Sequence, residues 1–186
     1  MKPIYRLMSV AWVGLLFVGS GCQKTADPDG GGASAAGAAY LLNAEPEAAQ
    51  SVVDVRALLE EKKEPGDIVM VGRIDGLGQP TWDPERAAFM IADLSLAPEK
   101  GTQQAEHDET PQHDADNCPF CKVKKKKELA GLALIQVVDS SGTTLAVDAR
   151  QLLGLSEGQI VVVRGEGQVD SLGTLVVRAR GIYIRR

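Results

Sequence analysis

Aromatic residues and histidine are scarce in this chain of 186 residues: aromatics make up 4% of it, and only two histidines occur. Acidic residues outnumber basic ones by 25 to 20, so the formal net charge is −5. Proteins that bind nucleic acids depend on lysine and arginine to contact phosphates and on aromatic side chains to stack on bases. The composition therefore argues against a nucleic-acid partner.

Recognisable catalytic motifs are also missing. Both histidines, His107 and His113, lie in one short polar segment. The chain has no glycine-rich phosphate-binding loop and no nucleophile elbow of the strand–turn–helix kind. The sequence thus predicts a protein that is not an enzyme.

The first 22 residues have the pattern of an export signal. Lys2 and Arg6 precede an apolar stretch, Leu7 to Val18, that is shorter than the about 20 residues needed to span a membrane. Small residues then lead directly to Cys22. The run Val18 to Cys22 resembles the lipobox of bacterial lipoproteins. This resemblance implies that residues 1–21 are a signal peptide and that Cys22 is lipidated.

A lipidated Cys22 implies a location in the cell envelope, anchored to a bacterial membrane and facing the periplasm or the exterior. The membrane would then be a partner through the N-terminal lipid. The alternative is an ordinary secreted protein that is cut near the same place. In both cases Cys118 and Cys121 would be in an oxidising compartment.

The mature chain divides into a linker, a helix and a β-rich domain. Residues 22–47 are rich in Ala, Gly, Pro and Asp, which is typical of a flexible tether. Residues 48–65 are predicted to contain a helix that begins after Ser51, because apolar residues then recur at helical spacing up to Leu59. Residues 66–186 form the predicted β domain, with one short helix after Asp148.

The predicted strands of this domain are short, apolar and separated by Gly- and Asp-containing turns. They cover Ile68 to Ile74, Ala87 to Leu94, Leu132 to Val138, Thr143 to Val147, Gln159 to Gly167 and Leu175 to Ile184. Their order resembles an OB-fold, which implies an all-β class: a small Greek-key barrel with a short helix, preceded by one helix and a flexible tether. The alternative is another small β-barrel or a β-sandwich.

The C-terminal run Gly181 to Arg186 (GIYIRR) also resembles the ending of an uncharacterised group of exported bacterial OB-fold proteins. That resemblance implies no particular activity.

A long polar insertion, at about residues 97–128, separates the second and third strands, and it contains the residues with the most distinctive chemistry. His107, His113, Cys118 and Cys121 occur there with the spacing H-x5-H-x4-C-x2-C. Thiolate and imidazole are preferred ligands of zinc and also bind copper, and four of them complete a tetrahedron. The insertion is therefore a candidate metal site.

Three other interpretations of the same residues remain open. Cys118 and Cys121 would form a plain disulfide that closes the insertion of a structural or protein-interaction module. Alternatively, the two cysteines would form a redox-active dithiol whose thiol pKa is lowered by the lysines that follow. Cys-x-x-Cys-Lys also resembles a rare haem-attachment motif in which Lys122 replaces histidine.

Two basic groups are candidates for further contacts. The run Lys124 to Lys127 follows an acidic stretch, so charge pairing within the insertion accounts for it, and contact with an anion or a lipid headgroup is the alternative. Arg164, Arg178 and Arg180 on the last hairpin are the best basic cluster for the oligonucleotide binding that many OB-folds perform.

Overall fold

The computed structural model describes residues 32–96 and 119–185, apart from the side chains of residues 119–121 and 124. A short 3₁₀ turn, Gly37–Tyr40, precedes the regular elements. The elements are β1 (Gln50–Ser51), α1 (Val52–Lys62), β2 (Gly66–Ile74), β3 (Ala88–Ala92), α2 (Pro119–Ala130), β4 (Leu132–Val137), α3 (Ala149–Leu153), β5 (Ile160–Val169) and β6 (Leu175–Arg185).

Strands β2 to β6 form a closed five-stranded barrel. Their order is β2-β3-β4-β6-β5, and pairing of β2 with β5 closes the barrel. All neighbours are antiparallel except β4 and β6, which are parallel, so the connection between them crosses one end of the barrel. This architecture confirms the predicted all-β, OB-fold-like Greek-key barrel.

The barrel interior is filled by alternate apolar side chains of the strands, with Phe89 and Met70 the largest that are fully buried. Along β2 the burial alternates residue by residue, as it does in a strand with one face on a core. Two helices complete the core from opposite ends of the barrel. Val52, Val55 and Leu59 enter it from α1, and Leu152 and Leu153 enter it from α3.

The two ends of the barrel are named here after these helices. At the α1 pole, Leu59 packs against the start of β2 and the end of β5, where side chains on Gly66 or Gly167 would contact it. The α3 pole is the other end, because α3 follows the end of β4 and leads into the start of β5. The insertion between β3 and β4 leaves the barrel at the α1 pole.

The helix boundaries follow from local capping, as the sequence predicted. The Oγ of Ser51 accepts a hydrogen bond from the backbone N–H of Asp54 at 3.1 Å, which caps α1 at its N-terminus. Lys63 ends the helix in a left-handed conformation, with φ of 56°. Asp148 caps α3 by accepting a hydrogen bond from the N–H of Arg150 at 2.8 Å.

The N-terminal segment corrects the prediction of a flexible tether through residue 47. From Ser34 onward the chain lies against the barrel: the Ser34 N–H donates to the carbonyl of Leu152 at 2.9 Å, and the Leu42 N–H donates to that of Ile182 at 2.9 Å. Tyr40 and Leu41 pack on the core. Removing the apolar residues 40–42 from water stabilises the packed arrangement relative to one in which the same residues stay exposed in a linker.

Two further predictions need correction. Residues 143–147 do not form a strand, and only an isolated bridge joins Thr144 to Val138. The reason is that Leu145 donates to Val137 and accepts from Ala87, so it joins two different segments instead of extending one ladder. The predicted loop at residues 97–128 also contains the start of α2, which continues to Ala130. Proline at the first position and the Lys, Leu, Glu and Ala that follow favour a helix there.

Candidate functional site: the insertion and its neck

Most of the predicted metal site lies outside the described residues. His107, His113 and Cys118 belong to residues 97–118, and Cys22, for which lipidation is predicted, belongs to residues 1–31; neither range is described. Cys121 is placed by its backbone in the first turn of α2. Within residues 32–96 and 119–185, no group of three or more metal-ligating side chains comes together, and no helix is long and apolar enough to cross a membrane.

The two ends of the insertion are joined by a short neck. The backbone N–H of Asp93 donates to the carbonyl of Gly131 at 2.8 Å, directly after β3 and directly before β4. A side chain on Gly131 would collide with Leu96, because its Cβ would lie 2.2 Å from Cδ1 of that leucine. The neck therefore brings the entering and leaving chains into direct contact, and a side chain at position 131 would require Leu96 to move.

Asp93 attaches the entering chain to α1. Its carboxylate is buried and accepts a hydrogen bond from the N–H of Val53 at 3.2 Å, at the start of that helix. It also accepts from the N–H and the hydroxyl of Ser95, at 2.9 and 2.6 Å.

The pKa of Asp93 reflects these contacts. Burial is the largest single influence and raises the pKa of this carboxyl, but the hydrogen bonds from Ser95, Val53 and Val52 together outweigh it. The pKa of Asp93 is therefore lowered, and the carboxylate is charged at neutral pH.

Arg56 attaches the leaving chain to the same helix. Its buried guanidinium donates to the carbonyls of Ala130 at 2.7 Å, Leu132 at 3.0 Å and Leu129 at 3.4 Å. A further hydrogen bond, at 2.6 Å, reaches the carbonyl of Gly173 in the turn between β5 and β6. Because the last carbonyls of a helix lack intrahelical partners, Arg56 also caps α2 at its C-terminus.

Helix α1 thus holds both ends of the insertion, the entering end through the backbone N–H of Val53 and the leaving end through the side chain of Arg56. Neither Arg56 nor Asp93 was singled out from the sequence. The signal for Arg56 was its position among Val52, Val55 and Leu59, since these four residues share one face of α1. A charged residue within an apolar stripe indicates a buried polar contact. Asp93 gave no comparable signal, because an Asp after a strand is common in turns.

The predicted basic cluster of the last hairpin is largely paired with acids. Arg180 lies 3.4 Å from Glu166 and 3.7 Å from Asp67, and Arg178 lies 3.8 Å from Glu166. The guanidinium of Arg164, in contrast, has no hydrogen-bond or ion-pair partner among the described residues. Arg164 and Arg180 line an open cleft of about 730 Å³ beneath the N-terminal segment, together with Asp67. The charges in this cleft are therefore mixed and do not form a basic groove.

Residues Gly154 to Gly158 match the pattern Gly-x-Ser-x-Gly, but their context differs from a nucleophile elbow. They follow helix α3 and lead into strand β5, whereas an elbow follows a strand and opens a helix. The side chain of Gln159 accepts a hydrogen bond from the N–H of Ser156 at 2.9 Å. This local contact stabilises the turn into β5.

Comparison of the chain with models of protein families, with curated proteins and with solved structures finds no match.

Proposed function

We propose that the protein is a membrane-tethered, non-enzymatic binding protein of the cell envelope whose insertion binds one transition-metal ion, zinc or copper. The ligands would be His107, His113, Cys118 and Cys121, and the lipid on Cys22 would provide the tether. The described chain first contacts the barrel through Ser34 at the α3 pole. The tether and the insertion would therefore be attached at opposite poles.

The observation that supports the proposal most is the neck. Because α1 holds both ends of the insertion through Asp93 and Arg56, the attachment of the insertion to the barrel uses none of the four proposed metal ligands. The start of α2 adds a second argument. Cys121 lies in the first turn of this helix, where the positive end of the helix dipole favours a thiolate over a thiol.

The same position of Cys121 favours one other candidate function, a redox-active dithiol formed with Cys118. Reactive cysteines of such pairs commonly lie at the N-terminus of a helix, and α2 begins with the residue that follows Cys118. A plain disulfide between the two cysteines is the structural alternative.

Metal titration of the reduced chain distinguishes these candidates. We expect about one Zn²⁺ or Cu⁺ per chain, and weaker binding as the pH falls, because protons compete for thiolate and imidazole. Cys118→Ser or Cys121→Ser should nearly abolish binding, and His107→Ala or His113→Ala should weaken it. The thermal unfolding of the barrel should change little in all four variants, because the neck separates the insertion from the core.

Calorimetry and mass spectrometry together provide the readout. A chain that binds neither metal when reduced, and that has lost two hydrogens when purified, would contradict metal binding and favour a cysteine pair. The reduction potential of that pair would then separate a redox dithiol from a structural disulfide, since structural disulfides resist reduction by glutathione.

A further inference from the structure

All four large apolar side chains that are exposed in the described part of the chain lie on elements that meet at the α1 pole. Val53 is 43% exposed on α1, Val123 and Leu129 are 66% and 46% exposed on α2, and Leu172 is 90% exposed in the β5–β6 turn. Arg56 binds these elements together, because it donates to Leu129 and to Gly173, the residue after Leu172. Exposed apolar side chains on adjoining elements are candidates for an interaction surface.

Lysines surround the two apolar residues of α2. The side chains of Lys122, Lys125, Lys126 and Lys127 are exposed, and none has an ion-pair partner among the described residues. We refer to these four lysines, with Val53, Val123, Leu129 and Leu172, as the pole patch. In a chain with a net charge of −5, such a local concentration of positive charge is a departure from the rest of the molecule.

Helix α2 is poorly stabilised by the rest of the molecule. It has 12 residues, and each of its described side chains is exposed or half-buried. Isolated helices of this length are marginal in water, and like charges three or four residues apart, such as Lys122 with Lys125 and Lys126, weaken them further. A partner that neutralises the lysines and covers Val123 and Leu129 would remove both disadvantages.

From these observations we infer that the pole patch is a docking surface for an acidic segment of a partner protein that carries at least one large apolar side chain. The lysines supply charge complementarity, and the apolar side chains supply contact area. This inference does not depend on metal binding by the insertion.

The position of the patch favours a protein over a membrane as the partner. The chain reaches the barrel at the α3 pole through Ser34, whereas the patch lies at the α1 pole. The twelve residue steps from Cys22 to Ser34 span at most about 43 Å, and the 11-residue strand β6 is itself about 35 Å long. An anchor at Cys22 would therefore leave the patch directed away from the lipid surface unless the tether were extended along the barrel over most of its length.

The test uses the mature chain with Cys22→Ser, which keeps every described residue and removes the lipid. The probe is a synthetic helical peptide of glutamate, aspartate and leucine, and a second peptide has serine in place of leucine. We expect the leucine peptide to bind, and Lys125→Glu, Lys126→Glu and Lys127→Glu combined to weaken binding by at least about tenfold. The pair Val123→Ser and Leu129→Ser should weaken it about tenfold, because the apolar area that the peptide would bury is lost.

A matched control reverses three positive charges elsewhere. Arg86, Arg164 and Arg178 are exposed and lie outside the pole patch, so changing them to glutamate should alter peptide affinity less than about threefold. Hydrogen exchange gives a second readout: the amides of α2 should exchange more slowly when the leucine peptide is bound.

Four outcomes would overturn the inference. Equal weakening by the control reversal would indicate non-specific charge attraction. Equal binding of both peptides would show that apolar contacts do not contribute to docking. Binding to phosphatidylglycerol vesicles, with the same dependence on the lysines and no binding of the peptide, would make the patch a membrane surface. Binding of the peptide only after deletion of residues 98–116 would show that the acidic stretch of this chain occupies the patch.

Discussion

Helices α1 and α2 have nearly the same length, 11 and 12 residues, but they differ in how far their side chains are buried against the barrel. Helix α1 buries Val52, Val55 and Leu59 in the core, whereas α2 buries none of its described side chains. The first helix is stabilised by tertiary packing, and the second is fastened mainly at its C-terminal end by Arg56. The difference shows how a small barrel supports an outward-facing element through one firmly packed helix.

Removal of the Arg56 guanidinium should have the largest effect on this arrangement. Arg56→Met keeps the length of the side chain but leaves the carbonyls of Ala130, Leu132 and Gly173 without their donor. We expect a loss of about 3 kcal/mol in the free energy of unfolding, because the hydrogen bond to Leu132 is buried, those to Ala130 and Gly173 are partly buried, and a bond from a charged donor contributes about 1.5 to 3 kcal/mol. Urea unfolding followed by circular dichroism measures it.

Arg86→Met provides the control for that measurement. Arg86 is an exposed arginine whose ion pair with Asp83, at 3.2 Å, lies at the surface and should contribute less than about 1 kcal/mol. If Arg56→Met were as stable as Arg86→Met, the role of Arg56 in holding the neck would be contradicted.

The same substitution in each helix gives a direct comparison. Leu59→Ala removes a side chain that is 3% exposed, so it should destabilise the protein by about 2 to 4 kcal/mol through lost burial and the cavity left behind. Leu129→Ala removes one that is 46% exposed and should cost less than about 0.5 kcal/mol. Thermal or urea unfolding of the two variants beside the wild type tests the contrast. Similar losses would mean that α2 packs on the barrel after all.

The smallest effect concerns the acid sensitivity of the neck. Because the pKa of Asp93 is lowered in the folded protein, its carboxylate adds stability above its unfolded pKa of about 3.9, and this stability is lost as the pH falls through the lower folded pKa. As the pH falls from 5 through about 4 and below, the free energy of unfolding should therefore decrease less for Asp93→Asn than for the wild type. Urea midpoints measured across this range provide the readout. Parallel curves for the two proteins would show that Asp93 does not titrate in this way.

The barrel was predictable because its signals are local. Alternation in β2, the Asp- and Gly-containing turn before β6 and the caps at Ser51 and Asp148 each involve residues only a few positions apart. The errors occurred where local composition competed with burial. The segment around Leu41 and Leu42 has the composition of a linker on either side, and only the adjacent barrel surface makes its packing favourable.

The candidate site could be predicted only in part. The clustering of His107, His113, Cys118 and Cys121 is a property of the sequence, and their role in binding a metal stays a prediction. The helix that begins at Pro119 was missed because four consecutive lysines resemble a solvated loop, although proline and the residues after it favour a helix.

The sequence by itself determined the five barrel strands, the turn before β6, the caps of α1 and α3 and the presence of a chemically distinctive insertion. Only the tertiary structure decided how that insertion is held. Asp93 meets Val53 across 40 residues, and Arg56 meets Gly173 across 117. Hydrogen bonds between such distant residues leave no periodic pattern in the sequence, because they depend on which backbone groups the closed barrel brings together at one pole.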